Sequence, residues 1–468
     1  MIRFGTSGWR AIISDAFTFR NVRLVTQAIA NLLQREAGRE RKVVIGYDTR
    51  FLSEKVARET AAVLSTNHIR AFLCTRDAPT PAVSLEVRTR GADGGIYFTA
   101  SHNPPEYNGL KYYDHRGAPA PTALTDQIEL EILRLENQGF DRKYFLDERY
   151  LTSIDPQEAY LKHLLVSLDL NRIRRAGLKL AVDCLYGTSR EYVDRVLIEN
   201  EIPLEVAHNF ADPYFGGYSP ECSEKNLAEL RHLLLESKAT LGVAIDGDGD
   251  RFGILDRDGS FVTADDVLPL LVDYLVRERG FGGGVARTNA TSHLIDQVAA
   301  AHGLGVIETA VGFKYIGDLL LSGEAGFGGE ESGGFGLARH LPEKDGVLTA
   351  LLVAEMVATA GKTLTELRAE LWARHGAHHH RRLSFDLTPE IERALEAVST
   401  DPPAELDGKR VARVGRADGT KLVFADGSWC LLRRSGTEPV VRLYAESATP
   451  AGLERLIHAA RALVGNPH

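Results

Sequence analysis

The chain has 468 residues, of which 44% are hydrophobic and 25% charged, and a formal net charge of -9 at pH 7. At roughly 150 residues per domain this predicts about three or four globular domains. The acidic balance disfavours non-specific binding to nucleic acid, which needs basic surface, although local basic groups can still hold an anionic substrate. Four cysteines, Cys74, Cys184, Cys222 and Cys430, lie far apart with no CxxC pair. That argues against a zinc site or a disulfide framework and fits a reducing cytoplasm. The opening "MIRFGTSGWR" has no signal-peptide apolar run, and no window approaches the ~18 apolar residues of a membrane span.

In chain order the pattern alternates short β-branched runs with helical periods, which predicts α/β architecture. "RNVRLVTQAIANLLQREAG" places Val22, Val25, Ile29 and Leu32 on one helical stripe. "RKVVIGYDTR" follows as a buried strand, "SEKVARETAAVLSTN" as a helix that Ser53 could cap, and "IRAFLCT" as the next strand. "LKLAVDCLYGTSREYVDRVLIEN" and "GGGVARTNATSHLIDQVAAAHG" repeat a strand, turn and helix about once per domain. "GAHHHRRL", with His378, His379 and His380, reads as a solvated linker that could bind metal adventitiously. A smaller α+β unit follows, with two strand-like runs around a polar turn in "GTKLVFADGSWCLLRRSGTEPVVRLYAES" and the closing helix "PAGLERLIHAARALVG".

Four clusters could carry chemistry. In "GGIYFTASHNPPEYNGLKYY", Ser101 follows a strand; Pro104-Pro105 stops any helix, and Asn108-Gly109 suggests a tight turn. A serine at the carboxyl end of an α/β strand can be a nucleophile or phosphate carrier, or can simply satisfy turn backbone. In "AIDGDGDRFG", Asp246, Asp248 and Asp250 alternate with glycines. Three carboxylates so close call for a cation, and hard oxygen ligands select Mg²⁺, Ca²⁺ or Mn²⁺. An EF-hand would need Gly and Glu where the chain has Arg251 and Arg257. "GFGGEESGGFG" offers Glu330 and Ser332, a carboxylate and a hydroxyl suited to sugar hydroxyls, and "LPEKDG" adds Lys344. "RRSGTEPVVRLY" offers Arg434, Ser435, Gly436 and Thr437, a donor-rich turn suited to phosphate or an ordinary hairpin.

In this order the clusters closely resemble the α-D-phosphohexomutase family of phosphoglucomutase/phosphomannomutase type. "TASHNP" resembles its phosphoserine loop, "DGDGDR" its magnesium loop, "GEESGG" its sugar-recognition loop and "RRSGTEP" its phosphate-binding loop. "FGTSGWR", ending in Arg10, resembles the N-terminal motif. The resemblance implies three related α/β domains and a C-terminal α+β domain around a central cleft, at 1–148, 149–255, 256–374 and 381–468. It implies reversible exchange between hexose 1-phosphate and hexose 6-phosphate through a phosphoserine enzyme and a hexose 1,6-bisphosphate that also serves as activator. Mg²⁺ would bind Asp246, Asp248, Asp250 and the Ser101 phosphoryl group. Arg10 would meet the phosphoserine, Arg251 the sugar phosphate near the metal, and Arg434, Ser435, Gly436 and Thr437 the distal phosphate. Glu330 and Ser332 would read sugar hydroxyls. Lys344 is the first choice for the base, with Lys111 and His102 behind it.

One departure bears on the substrate. In "ETAVGFKYIG" the family commonly has Thr before the glycine; here Val311 precedes Gly312, and Thr309 or backbone groups would serve instead. Glu331 in "GEES" resembles glucose-type members, which favours glucose phosphate, with mannose phosphate second and glucosamine phosphate behind. A sugar-phosphate-binding protein without activity, or a metal-binding structural module, are the rival classes. A phosphorylated hexose is the expected partner, with neither nucleic acid nor membrane, in a cytoplasmic monomer or homodimer.

Overall fold

The computed structural model describes residues 2–5, 8–35, 39–436 and 439–465. Four sheets succeed one another along the chain. The first contains β1 (Trp9–Ile12), β2 (Lys42–Tyr47), β3 (Arg70–Cys74), β4 (Gly94–Phe98), β5 (Tyr107–Asp114) and β6 (Leu151–Ile154) in the order β1-β5-β4-β2-β3-β6. The second contains β7 (Leu180–Asp183), β8 (Leu204–Ala207), β9 (Leu241–Ile245), β10 (Phe252–Leu255) and β11 (Phe261–Val262), ordered β11-β10-β9-β7-β8. The third has β12 (Gly284–Thr288), β13 (Val306–Thr309), β14 (Ala325–Glu330) and β15 (Gly334–Leu337), ordered β13-β12-β14-β15.

These three sheets share one plan. A parallel centre of buried β-branched strands receives one antiparallel hairpin partner: β4–β5, β9–β10 and β14–β15. Continuous apolar runs such as "KVVI" and "LGVAI" suit strands covered on both faces, as parallel sheets are. One large core runs through all three units. The fourth sheet is antiparallel throughout: β16 (His379–Asp386), β17 (Glu405–Leu406), β18 (Lys409–Gly415), β19 (Thr420–Phe424), β20 (Trp429–Arg434) and β21 (Val440–Ser447), ordered β16-β21-β20-β19-β18-β17. It has a separate core beneath the helix Pro450–Leu463. The α/β class with an α+β final unit is therefore as expected from the sequence.

Several local expectations are corrected. Leu151–Ile154 lies beyond the expected boundary at 148, yet its backbone completes the edge of the first sheet beside β3. The fourth sheet begins at His379, inside the segment read as a linker. His378 bonds Glu446 at 3.0 Å and His380 bonds Thr263 at 2.8 Å, so neither is a solvated histidine. "GTKLVF" to "YAES" makes three strands, not two. Ser53 is the first residue of its helix, not the cap, because its hydroxyl donates to Asp48 instead. Among the described residues no single helix is long and apolar enough to cross a membrane.

Asn108-Gly109 is strand rather than turn. Gly109 sits opposite Arg10 in the β1–β5 ladder, and a Cβ there would stand 2.3 Å from the Trp9 carbonyl oxygen and 2.7 Å from that of Thr99. Replacing Gly109 with Ala is expected to lower the urea-unfolding midpoint by the equivalent of about 3 kcal/mol, read by circular dichroism. A midpoint equal to the parent's would contradict this close approach.

Candidate active site

The three hairpins that repeat through the first three units carry the candidate residues at their turns. Ser101 lies between β4 and β5, the aspartates between β9 and β10, and Glu330 and Ser332 at the β14–β15 turn. Ser101 is buried and adopts a left-handed φ of 51°. Such a φ in a non-glycine residue costs on the order of 1 kcal/mol and persists only where neighbours enforce it. Here the Ser101 N–H donates to Thr99 Oγ1 at 2.7 Å. Thr99 Oγ1 in turn donates to Asp248 Oδ2 at 3.3 Å, which joins the serine loop to the acidic loop.

Asp246, Asp248 and Asp250 are fully buried, and one carboxylate oxygen from each lies within 4.8 Å of the others. Their other bonds are specific. Asp246 Oδ1 accepts the N–H groups of Asp250 and Arg251 at 2.9 Å each. The Lys111 ammonium donates to Asp248 Oδ2 and Asp250 Oδ2, at 2.7 Å each, and Lys344 lies 3.1 Å from the same Asp250 oxygen. Asp246 Oδ2, Asp248 Oδ1 and Asp250 Oδ1 are left without a hydrogen bond. Three buried carboxylates that converge, each keeping one oxygen without a hydrogen bond, fit a hard divalent cation such as Mg²⁺. A tight loop is needed to turn them together, and Gly249, at a φ of 80°, provides it.

The electrostatics separate the candidate proton carriers. Lys111 and Lys344 are buried, but the carboxylates of Asp248, Asp250 and Glu343 hold both ammonium groups above their ordinary range. Burial raises the Glu343 carboxyl, with Lys344 opposing. His102 is pushed well down, first by burial and then by Arg251, Arg10, Arg382 and Arg442. Its Nδ1 accepts the Arg251 Nη1–H at 2.9 Å and lies 3.4 Å from Ser101 Oγ, so the imidazole is neutral with its proton on Nε2. Arg10, drawn down to about 10 by burial and Arg251, donates to Asn103 Oδ1 at 2.6 Å.

All four units line one cavity. Arg10 and His102 come from the first, Arg251 from the second, Val311, Gly312, Glu330, Glu331 and Ser332 from the third, and Arg382, Arg433, Ser435, Gly436, Arg442 and Tyr444 from the fourth. Of the expected residues, Arg10, His102, Arg251, Gly312, Glu330, Ser332, Ser435 and Gly436 line it; Ser101, Lys111, Lys344 and the three aspartates are buried behind His102 and Arg251 without lining it, and Thr309 and Arg434 point elsewhere. Thr309 turns its hydroxyl to the Ala310 carbonyl at 2.9 Å and does not line the cavity. Arg434 projects to the far face of its sheet and pairs with Glu392 at 2.6 Å; its neighbour Arg433 lines the cavity. Strand alternation in "WCLLRR" carries this signal. Cys430 and Leu432 enter the separate core of the fourth unit and Arg434 shares their face, whereas Trp429, Leu431 and Arg433 face the other way. Thr437 lies outside the described residues. Arg382 and Arg442 were not anticipated; both stand on one face of the sheet, with Arg442 opposite Arg433 in the β20–β21 ladder.

Comparison with known proteins agrees with this architecture. Family models for phosphoglucomutase/phosphomannomutase match domain I at residues 1–139, domain II at 158–259, domain III at 263–375 and the C-terminal domain at 390–463. A phosphoglucomutase/phosphomannomutase of Thermococcus kodakarensis is 32% identical over 95% of this chain and 94% of its own length. A Pyrococcus abyssi protein that carries the name phosphoglucosamine mutase is 30% identical over 98% and 97%. A crystal structure from Thermus thermophilus that carries the name phosphomannomutase superposes with a TM-score of 0.86, at 33% identity and 99% coverage of both chains. The fold and site thus define a phosphohexomutase, an intramolecular phosphotransferase of carbohydrate metabolism. The chain belongs to the phosphoglucomutase/phosphomannomutase family.

Burial, with Glu331 adding and Lys344 opposing, pushes the Glu330 carboxyl up to about 7. Below that pH Glu330 is protonated, and it regains full acceptor capacity for sugar hydroxyls only as pH rises through it. We expect kcat/KM to fall as pH drops below about 7, and Glu330→Gln to remove that limb while lowering the plateau. An unchanged acid limb in the Gln variant would show that another group titrates.

Proposed function

We propose that the protein interconverts hexose 1-phosphate and hexose 6-phosphate, with glucose as the preferred hexose. The observation that carries this reading is that a four-walled cavity with an arginine face adjoins, through its lining residues His102 and Arg251, both a strained serine loop and a cluster of three buried aspartates. Phosphorylated Ser101 would pass its phosphoryl group to the sugar phosphate. The resulting 1,6-bisphosphate would return its other phosphate to Ser101, and added bisphosphate would serve as activator by priming the serine.

Asp246, Asp248 and Asp250 would hold Mg²⁺ beside the Ser101 phosphoryl group, where the ion neutralises charge developing in transfer. Arg10 and Arg251 face the cavity beside the serine loop and would hold the near phosphate. Arg433, Ser435 and Gly436 would hold the distal phosphate, and Thr437 is proposed to join them. Arg433 replaces Arg434 in this role because only Arg433 lines the cavity. Gly312 and Val311 border the sugar, with backbone groups in place of the threonine expected there. Glu330 and Ser332 would bind hydroxyls in either orientation of the intermediate.

Lys344 is the proposed group for the attacking hydroxyl's proton. Its raised pKa makes it an acid as it stands. It can accept a proton only once its own has left, a loss that the Asp250 and Glu343 carboxylates oppose and that a cation held by the aspartates would ease. Lys111, clamped by two carboxylates, serves better as a fixed charge. His102 Nδ1 is occupied by Arg251, which leaves His102 to shape the serine loop.

Glucose is favoured by Glu331, which lines the cavity and accepts the Thr288 hydroxyl at 2.8 Å. Mannose phosphate is the second reading, supported by the named activities of the Thermococcus and Thermus relatives. The test has two arms. Purified protein should carry phosphate on the Ser101 peptide, and Ser101→Ala should lose mutase activity; full activity in that variant would refute the mechanism. With Mg²⁺ and catalytic hexose bisphosphate, kcat/KM should rank glucose 1-phosphate above mannose 1-phosphate and both above glucosamine 1-phosphate.

A further inference from the structure

Asp48 and Arg50 follow β2 and stand outside every group assigned above, yet both are buried. Both terminal nitrogens of the Arg50 guanidinium are occupied with the serine loop. Nη2 donates to the carbonyl oxygens of Ser101 and Asn103, at 2.6 Å each, and Nη1 to those of Pro104 and Tyr107, at 2.8 and 3.0 Å. One side chain thus fixes four carbonyls across seven residues of loop, including that of the strained serine.

The fork is itself anchored. Arg50 Nε lies 3.2 Å from Asp48 Oδ2, and the Arg50 N–H donates to Asp48 Oδ1 at 3.0 Å. Ser53 donates to that same Oδ1 at 2.8 Å, and Asn108 donates to the Ser53 hydroxyl at 2.9 Å. From the second unit, the Phe215 ring covers the guanidinium at 4.9 Å. Phe215 also abuts Gly247 of the metal loop, where a Cβ would lie 3.3 Å from its ring. Three polar side chains and a ring therefore hold a planar donor array against backbone, and none of them lines the cavity. Lysine could keep the charge but could not span four acceptors in a plane.

We propose that Arg50, anchored by Asp48, is a positioning residue that sets the left-handed backbone of Ser101 and so aims its oxygen for phosphoryl transfer. This rests on Ser101 being the phosphoryl carrier. A misplacement of about 1 Å in a reacting group can cost roughly 100-fold in rate. The residue therefore acts on kcat and leaves sugar binding alone.

The experiment uses the full-length protein, with Ser101→Ala assayed beside it. Folded Arg50→Lys should lose roughly 10- to 100-fold in kcat with KM within about twofold of the parent. Single-turnover transfer from glucose 1,6-bisphosphate to the dephosphorylated Ser101 peptide, followed by mass spectrometry, should slow by the same factor. A purely structural role would instead lower the folded fraction and leave kcat per folded molecule unchanged. Asp48→Asn, which keeps the fork but weakens its anchor, should give a smaller loss of the same pattern and decides the matter if Arg50→Lys does not fold. Parental kcat in the folded variants, or a loss confined to KM, overturns the positioning role while an inactive Ser101→Ala leaves the mutase reading standing. An active Ser101→Ala overturns both.

Discussion

Three fully buried aspartates within a five-residue loop are the constraint to which the rest of the molecule answers. A buried carboxylate is tolerated only when paired, hydrogen-bonded or bound to a cation. Arg251 beside the loop stands 3.9 Å from Asp250, and the closer ion pairs come from elsewhere: Lys111 from the first sheet and Lys344 from the third unit, both reaching the same Asp250 oxygen. Backbone bonds follow the same path. Thr80 donates to the Asp248 carbonyl at 2.9 Å, Gly346 to that of Gly249 at 3.1 Å, and Phe252 to that of Gly333 at 3.2 Å. The acidic loop cannot be neutralised inside its own unit, so it draws three units together, and the large shared core follows that junction.

The repeated sheet plan explains how three different chemistries reach one place. In each of the first three units the chain leaves a parallel strand, turns, and returns antiparallel. The turn lies outside the carboxyl end of the sheet, where open α/β folds present ligand groups. The same topological position carries Ser101 in one unit, the aspartates in the next and Glu330 with Ser332 in the third. Facing those three turns across the cavity is the arginine face of the antiparallel sheet. The positions come from the fold, and in the proposed mechanism the side chains at them would divide the labour between transfer, charge neutralisation and sugar recognition.

Much of this was legible in the sequence, for physical reasons that can be named. Aspartates alternating with glycines leave little alternative to a cation, and a serine between an apolar strand and two prolines must sit on a loop. Asn108-Gly109 misled because the same pair that favours a turn also permits two backbones to approach closely; only the β1–β5 ladder distinguishes the cases. Arg434 stands inside the motif, but strand alternation through "WCLLRR" turns it to the core side and presents Arg433 to the cavity. The triple histidine misled because the first half of its strand is His and Arg, and the apolar alternation starts only at Leu383 and Phe385. Its register is set instead by eight backbone partners on β21 and by the bonds of His378 and His380. The role of Arg50 is not legible locally: Asp48 stands two residues away, but the four carbonyls that the guanidinium holds lie more than fifty positions along the chain.

The fourth unit is joined on different terms from the other three. Its core is separate, and its contact with the third unit combines a small apolar patch of Ala290, Trp429, Leu431 and Tyr444 with a polar network. Buried Lys421 donates to the Asn289 carbonyl at 2.6 Å, lies 2.9 Å from His293 and 3.3 Å from Glu308, and is drawn down to about 8 by burial and Arg287. Interfaces of this mixed kind resemble transient contacts, which allow relative motion of the units they join. In the proposed mechanism the wall with Arg433 and Ser435 would grip the distal phosphate, and a bisphosphate that presents each end to Ser101 in turn would need that grip to release without disturbing the buried aspartates. A three-unit block that shares one core around the charge cluster, with a fourth wall that has its own core and a mixed apolar and polar contact, suits both requirements.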